Sequence, residues 1–208
     1  MIKSKLPTYS EIIALVGDYE NVSNEVFLVA LDSPDEYVVW YAIKACGLKR
    51  IESSIDKLFH FLGEKCNDLD GTNLRKISVW SLAKFDSKKI FSYVEKKYKS
   101  QNPMLREDIA DLLGFIPSSK SLILLDELLG DKEDRVLLWA SLSLSKKGND
   151  AITIIKKHLK QENIFTKNIY LIDALSRIAS REAIDVIKNY KQVTLSGNEL
   201  QFINALKL

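Results

Sequence analysis

Two histidines, a knot of carboxylates and a short acidic loop are the residues of this chain whose types could do chemistry. His60 and His158 could carry a proton near neutral pH. Each stands fourteen residues after a recurrent apolar anchor, at equivalent places in different repeats. Helix layers of ~8 to 10 Å separate them, so they cannot share a metal, and both read as exposed groove residues. Asp108 and Asp111, with Glu107 beside them, share a helix face and could form an acid–base pair. A solvated helix face accounts for the same spacing. The loop "NDLDG" resembles the middle of a calcium loop, with Asp68 and Asp70 alternating before Gly71. Its first position would be Cys66 and its twelfth Ile77, where a bidentate Glu is required, so it reads as a solvated turn.

Cys46 reads as a small core residue, and its distance from Cys66 argues against a zinc site or a disulfide framework. No G-x-S-x-G, glycine-rich phosphate loop or H-E-x-x-H occurs in the chain. Trp40, Trp80 and Trp139 fall at different offsets of their repeats, which suits core packing better than a base-stacking platform. Lysine pairs at 88–89, 96–97, 146–147 and 156–157 could form a ridge. Asp126, Glu127, Asp131, Glu133 and Asp134 interrupt it, which breaks the continuous track a phosphate backbone needs. No cofactor and no metal is expected.

The elements that must position these residues follow from a period. Stepping by thirty-one from Leu175 reaches Leu144, Leu113 and Leu82 backward and Leu206 forward. A step of thirty-six then leads to Cys46, and one of thirty-one to Leu15, so a five-residue insertion lies within Gly63 to Asn73. The residues before the anchors are Ala14, Ala45, Ser81, Leu112, Ser143, Ala174 and Ala205, six of them small, which marks close approach between helices. Five residues after four anchors stand Ser87, Ser118, Asn149 and Ser180, read as N-caps. Each repeat thus divides into a first helix ending near the anchor, with a broad apolar surface, and a second helix with a narrower one, for example Leu122, Leu125 and Leu129.

Capping boxes are expected at Thr8 with Glu11, Ser33 with Glu36 and Ser196 with Glu199, and Pro34 and Pro103 take first-turn positions. The composition, 46% apolar and 28% charged with a net charge of +2, suggests neither disorder, nor a membrane span, nor a nucleic-acid binder. The N-terminal apolar run is too short and interrupted for a secretory signal, so a cytoplasmic, reduced setting is expected.

The stretch "LREDIADLLGFIPSSKSLILLDELLGD" (Leu105 to Asp131) resembles the HEAT-like repeat first described in phycocyanobilin lyases. It has an apolar-Arg start, small and apolar pairs, a short turn and an apolar second helix ending in Asp. The Arg of Arg75 and Arg106 is Val39, Leu137 and Asn168 elsewhere, so the repeats are degenerate. The resemblance implies an all-α, right-handed α-α superhelix, an armadillo-like solenoid, with second helices lining its concave side.

The expected architecture is one HEAT-like domain over 1–208, with six helix pairs and a terminal helix "NELQFINALKL" as a cap. The expected function is a monomeric, non-enzymatic scaffold that binds another protein in a groove ~50 Å long, at ~8 to 10 Å per packed helix. Thirteen and fourteen residues after the anchors, that groove is lined by Phe59, His60, Glu95, Lys96, Asp126, Glu127, Lys157, His158, Lys188 and Asn189. Reversing Glu95, Asp126 and Lys157 should release the partner, whereas Lys76 and Glu107 on first helices should matter less. An immunity-type protein masking a toxin is one version of this reading, since the Lys-, Ile- and Asn-rich composition suits an AT-rich bacterial genome. An alkylpurine DNA glycosylase relative and a bilin lyase relative are the alternatives, both carried by likeness of repeats.

Overall fold

The computed structural model describes residues 6–64, 73–161, 165–193, 201, 204 and 205. Cys66, the acidic loop with Asp68 and Asp70, Ser196 with Glu199, and most of the terminal segment lie outside them. Among the described residues there are twelve α-helices and no strand. In chain order they are α1 (Tyr9–Gly17), α2 (Asn24–Ala30), α3 (Glu36–Lys49), α4 (Ile55–His60), α5 (Leu74–Leu82), α6 (Ser87–Lys97), α7 (Pro103–Phe115), α8 (Ser119–Leu128), α9 (Asp134–Ser145), α10 (Ile152–Gln161), α11 (Phe165–Ile178) and α12 (Arg181–Val193). These are the six helix pairs that the period demands. Short 3-10 turns, Glu52–Ser54 and Gly148–Ala151, lead into α4 and α10.

The helices form two compact units, divided between Leu112 and Leu113. In the first, α1 packs on α3 and α3 on α5, while α2 lies on α3 and α4 on α5. In the second, α9 packs on α11, with α8 on α9, α10 on α11 and α12 on α11 and α10. Within each unit first helices therefore stack on first helices, and α2, α4, α8 and α10 each lean on the first helix that follows.

Burial follows from this arrangement. Helix α3 has neighbours on several sides and buries Val38, Val39, Ala42, Ile43, Ala45, Cys46 and Gly47. Helix α6 buries only Ile90, Phe91 and Val94, a stripe at helical spacing. Each such side chain contributes roughly 1.5 to 3 kcal/mol when removed from water. The anchors Cys46, Leu82, Leu113, Leu144 and Leu175 are fully buried, and Leu15 is half-buried.

The small column makes contact where it was read to. Ser81 Oγ donates to the Ile43 carbonyl at 2.9 Å, and a Cβ on Gly47 would come within 2.7 Å of Ser81 Cα. A Cβ on Gly114 would come within 2.7 Å of Ser143 Oγ. Ala45 and Ala174 are fully buried, but Ala14 and Ala205 are exposed.

The helix starts correct several expectations. Thr8 and Glu11 form the full capping box, Ser118 caps α8, and Ser180 accepts from the Ala183 amide. Asn102 Oδ1 accepts from the Met104 amide, so Pro103 opens α7 as expected. Asp86, not Ser87, caps α6, since it stands one residue earlier and its carboxylate takes both the Lys88 and Lys89 amides. Asp35 likewise displaces Ser33 at α3, where Ser33 accepts from the Asp35 amide and Pro34 lies outside the helix. Asn149 caps nothing, because a turn through left-handed Gly148 (φ +61°) carries it into the 3-10 segment.

Candidate protein-binding face

The second helices place the predicted groove residues. On α6, Glu95 and Lys96 are exposed, opposite the Ile90 and Val94 stripe. On α12, Lys188 and Asn189 are exposed, opposite Ala183 and Ile187. Glu127 is exposed on α8, His60 at the end of α4, and Lys157 on α10. Phe59 is buried, with its ring stacked on Tyr93 at 5.0 Å between centroids and 10° between planes. His158, read from sequence as exposed, is only 8% exposed.

The structure joins three of these residues in the second unit. Asp126 and Lys157 occupy the same place in successive repeats, and Lys157 Nζ donates to Asp126 Oδ2 at 2.9 Å. His158 Nε2 lies 2.5 Å from Asp126 Oδ1. An ionised carboxylate only accepts, so Nε2 carries the proton. Burial raises the Asp126 carboxyl, but the bonds from Lys157 and His158 outweigh it and leave it below the usual carboxylate range. The pairing ties α10 to α8 and explains why His158 is covered. A register of thirty-one residues carries this contact, yet position alone gave no reason to pair the three.

In the first unit, the α4 and α6 segments are laced in the same manner. Lys89 Nζ donates to Glu52 at 2.7 Å beside the Phe59–Tyr93 stack. Of the four lysine pairs, three have their second member engaged within the fold. Lys89 is on Glu52, Lys157 is on Asp126, and Lys147 Nζ donates to the Ile116 carbonyl at 2.6 Å. Burial and the neighbouring Lys146 lower Lys147 to about 8.

The carboxylates of α7 correct the sequence reading most. Glu107, Asp108 and Asp111 are 2%, 0% and 5% exposed, so they form no solvated face. Arg75 Nε donates to Asp108 Oδ2 at 2.7 Å and Arg75 Nη2 to Oδ1 at 2.9 Å, with Glu107 Oε1 3.3 Å from Nη2. Lys76 Nζ lies 3.2 Å from Asp111. The Gly63 amide donates to Asp108 at 2.8 Å, and Asn102 donates back to the Gly63 carbonyl at 2.9 Å. Burial pushes the Asp108 carboxyl up, against the pull of Arg75 and Gly63. Lys76 and Glu107, taken from sequence as neutral first-helix positions, are thus parts of a buried ion network. The signal for it was Arg75 with Lys76 on one first helix and three carboxylates on the next, opposite charges about one repeat apart.

Cys46 is a core residue as expected, its thiol raised by burial to about 12. Among the described residues, no three His, Cys, Asp or Glu side chains gather as metal ligands would. No described helix is long and apolar enough to cross a membrane.

The family model for HEAT repeats matches residues 69–145, which run from before α5 to the end of α9. This stretch of the chain is similar to HEAT repeats. The fold is all-α, in the helix-pair pattern of that family. Among solved structures, an engineered protein is 17% identical, with 88% of this chain and 94% of that one covered and a TM-score of 0.45. The complex of CpcE and CpcF of phycocyanin lyase from Nostoc sp. PCC7120 is 15% identical, with coverage of 90% and 94% and a TM-score of 0.41. No curated protein matches the chain.

Proposed function

We propose that this HEAT-repeat chain is a non-enzymatic scaffold that binds another protein through the outer faces of its second helices. The observation that carries the reading is the asymmetry of burial: first helices such as α3 are covered over most of their surface, while second helices keep a face of mixed charge open. In the first unit that face presents Glu95 and Lys96, in the second Lys120, Glu127, Lys188 and Asn189. On α8, Ile123 stands 59% exposed between charged neighbours, an apolar anchor with a polar surround. Rigid, laced second helices present such groups without a large ordering cost.

The test uses charges on the exposed positions of the second helices. Asp126 and Lys157 are excluded, because they neutralise each other and a double reversal would rebuild the pair. Glu95→Lys, Glu127→Lys and Lys188→Glu together should abolish capture of the partner protein, with circular dichroism and melting temperature unchanged. Asp134→Lys with Arg177→Glu, on exposed positions of α9 and α11, should leave capture intact. Loss of the partner from the second set alone would place the binding face on the first helices and defeat the proposal.

A further inference from the structure

Helix α6 carries charge that the fold leaves unanswered. Residues 84–99 hold six lysines and two carboxylates, Asp86 and Glu95. The Asp86 carboxylate accepts from the Lys88 and Lys89 amides as the cap of the helix, and Lys89 Nζ is on Glu52. Lys84 lies over the Trp80 ring at 4.5 Å, and Lys99 over the Tyr98 ring at 5.0 Å. Lys88, Lys96 and Lys97 are exposed and make no hydrogen bond or ion pair among the described residues.

Their placement follows from the buried stripe. Ile90, Phe91 and Val94 face inward, so Lys88, Ser92 and Lys96, at steps of four residues, face outward. Lys88 and Lys96 stand ~12 Å apart along the axis, at about 1.5 Å per residue. Between them Ser92 Oγ donates to the Lys89 carbonyl at 2.7 Å, which folds this small side chain onto the helix and leaves room between the two lysines. No acidic residue lies in the first turn of α6, where Lys88 opposes the helix dipole. A carboxylate brought to that end relieves both charges. The neighbouring elements limit the strip. Glu52 is taken by Lys89, Asp56 accepts from the Tyr93 hydroxyl, and the exposed charge of α2 is Glu25. Glu95, exposed beside Lys96, bounds the strip on its own helix.

We propose that the outward face of α6 binds an acidic, extended segment of the partner protein, with carboxylates of that segment on Lys88 and Lys96. The inference rests on the second-helix reading above and adds the chemistry of the segment that the first unit receives. An extended chain with Glu at alternate positions sets a carboxylate every ~7 Å along one face, and two of them four residues apart match the two lysines. Lys84 and Lys97 carry the positive field past either end of the pair. A nucleic acid fits less well. Its phosphates would run on across the neighbouring second helices, where the charges are acidic. The rings on which bases would stack are covered, Tyr93 by Phe59, Trp80 by Lys84 and Tyr98 by Lys99.

The probe is a fluorescently labelled peptide of alternating Glu and Ser, titrated with the full chain by anisotropy at low ionic strength. The same peptide with Lys in place of Glu, and a labelled oligothymidylate of equal charge, serve as comparisons. The Glu peptide should bind, and its affinity should fall as added salt shortens the Debye length. Lys88→Glu with Lys96→Glu should weaken it about tenfold or more, at unchanged circular dichroism, whereas Lys88→Arg with Lys96→Arg should keep it. Lys156→Glu with Lys188→Glu, an equal change of net charge on exposed positions of the second unit, should leave it unaltered. An equal loss from that second pair, or none from the first, would overturn the proposal. Tighter binding of the oligothymidylate would assign the face to nucleic acid, and self-association lost in the Lys88 and Lys96 reversal would assign it to a second copy. Tighter peptide binding after Asp68→Asn with Asp70→Asn would assign it to the acidic loop of the chain itself. Each of these overturns the proposal. No binding of the Glu peptide, with capture of the partner through the second helices intact, would overturn it too and leave that earlier reading standing.

Discussion

Replacing Arg75 with Met keeps an unbranched stem of similar bulk and removes the guanidinium from a site where two carboxylates are 2% and 0% exposed. The Arg75 side chain is itself only 12% exposed. Removing one partner of a buried ion pair costs about 3 to 5 kcal/mol, because the other charge is left without its partner. The Gly63 amide still donates to Asp108 at 2.8 Å, which holds the expected loss near the lower end, about 3 kcal/mol at neutral pH.

The loss should depend on pH in a definite direction. Burial already holds the Asp108 carboxyl above its ordinary value, and losing Arg75 raises it further. A folded state that binds the proton more tightly than the unfolded chain gains stability at low pH and loses it as pH rises through the folded pKa. The variant should therefore stand closer to the parent at about pH 5 than at about pH 8. Urea unfolding followed by tryptophan fluorescence measures this, with Trp80 on α5 as the local reporter. Adding Asp108→Asn should recover part of the loss by removing the unpaired charge. A loss under about 1 kcal/mol, or the same loss at both pH values, would refute the view that this pairing is a buried, essential ion network.

Other consequences of the packing can be measured in the same assay. Gly47→Ala should destabilise by about 1 to 2 kcal/mol net, since overpacking against Ser81 Cα exceeds the helix preference of Ala, whereas Gly114→Ala should lose less because Ser143 Oγ can turn away. Ala174→Leu, at a fully buried position, should cost about 1 to 3 kcal/mol, and neutral behaviour would mean that the helices approach elsewhere. Asp126→Asn should destabilise by about 1 to 2 kcal/mol at neutral pH. Because the folded carboxyl lies below its ordinary value, that difference should fade as pH drops through the folded pKa. Lys147 is lowered to about 8, so its burial opposes folding below that pH and less so above it. The parent should therefore gain stability relative to Lys147→Met as pH rises from about 8 toward 10.

The sequence disclosed what repeats and hid what pairs across repeats. A step of thirty-one residues is local arithmetic, and it located the anchors, the small column and the alternation of buried and half-open helices. Ser81 and Ser143 met their neighbours because close approach is a property of residue size. Glu107, Asp108 and Asp111 misled because their spacing suits a solvated face equally well, and the decisive partner, Arg75, stands thirty-three positions from Asp108 on another helix. His158 misled for the same reason, its cover being Asp126 on the preceding second helix. Caps slipped where two residues could serve, since Asp86 and Ser87 differ only in which amides they can reach. The ten residues read as lining a groove all lie on second helices, and seven of them are exposed: His60, Glu95, Lys96, Glu127, Lys157, Lys188 and Asn189.

Three residues after the anchor, two repeats carry a lysine that reaches back to main-chain oxygen. Lys49 Nζ donates to the Val22 carbonyl at 2.6 Å and Lys147 Nζ to the Ile116 carbonyl at 2.6 Å, each acceptor lying in the turn between the helices of the preceding pair. Ser81 uses the same kind of acceptor on α3. A carbonyl is the same whatever side chain its residue bears. These joints therefore ask of the preceding repeat only that its backbone be in place, and they survive drift in its sequence. A segment of thirty-one residues spliced in ahead of Lys49 or Lys147 would need no particular side chain to meet these lysines, and the side chains it would have to match lie elsewhere in the same repeats, at Asp32 for Lys57 and at Asp126 for Lys157 and His158.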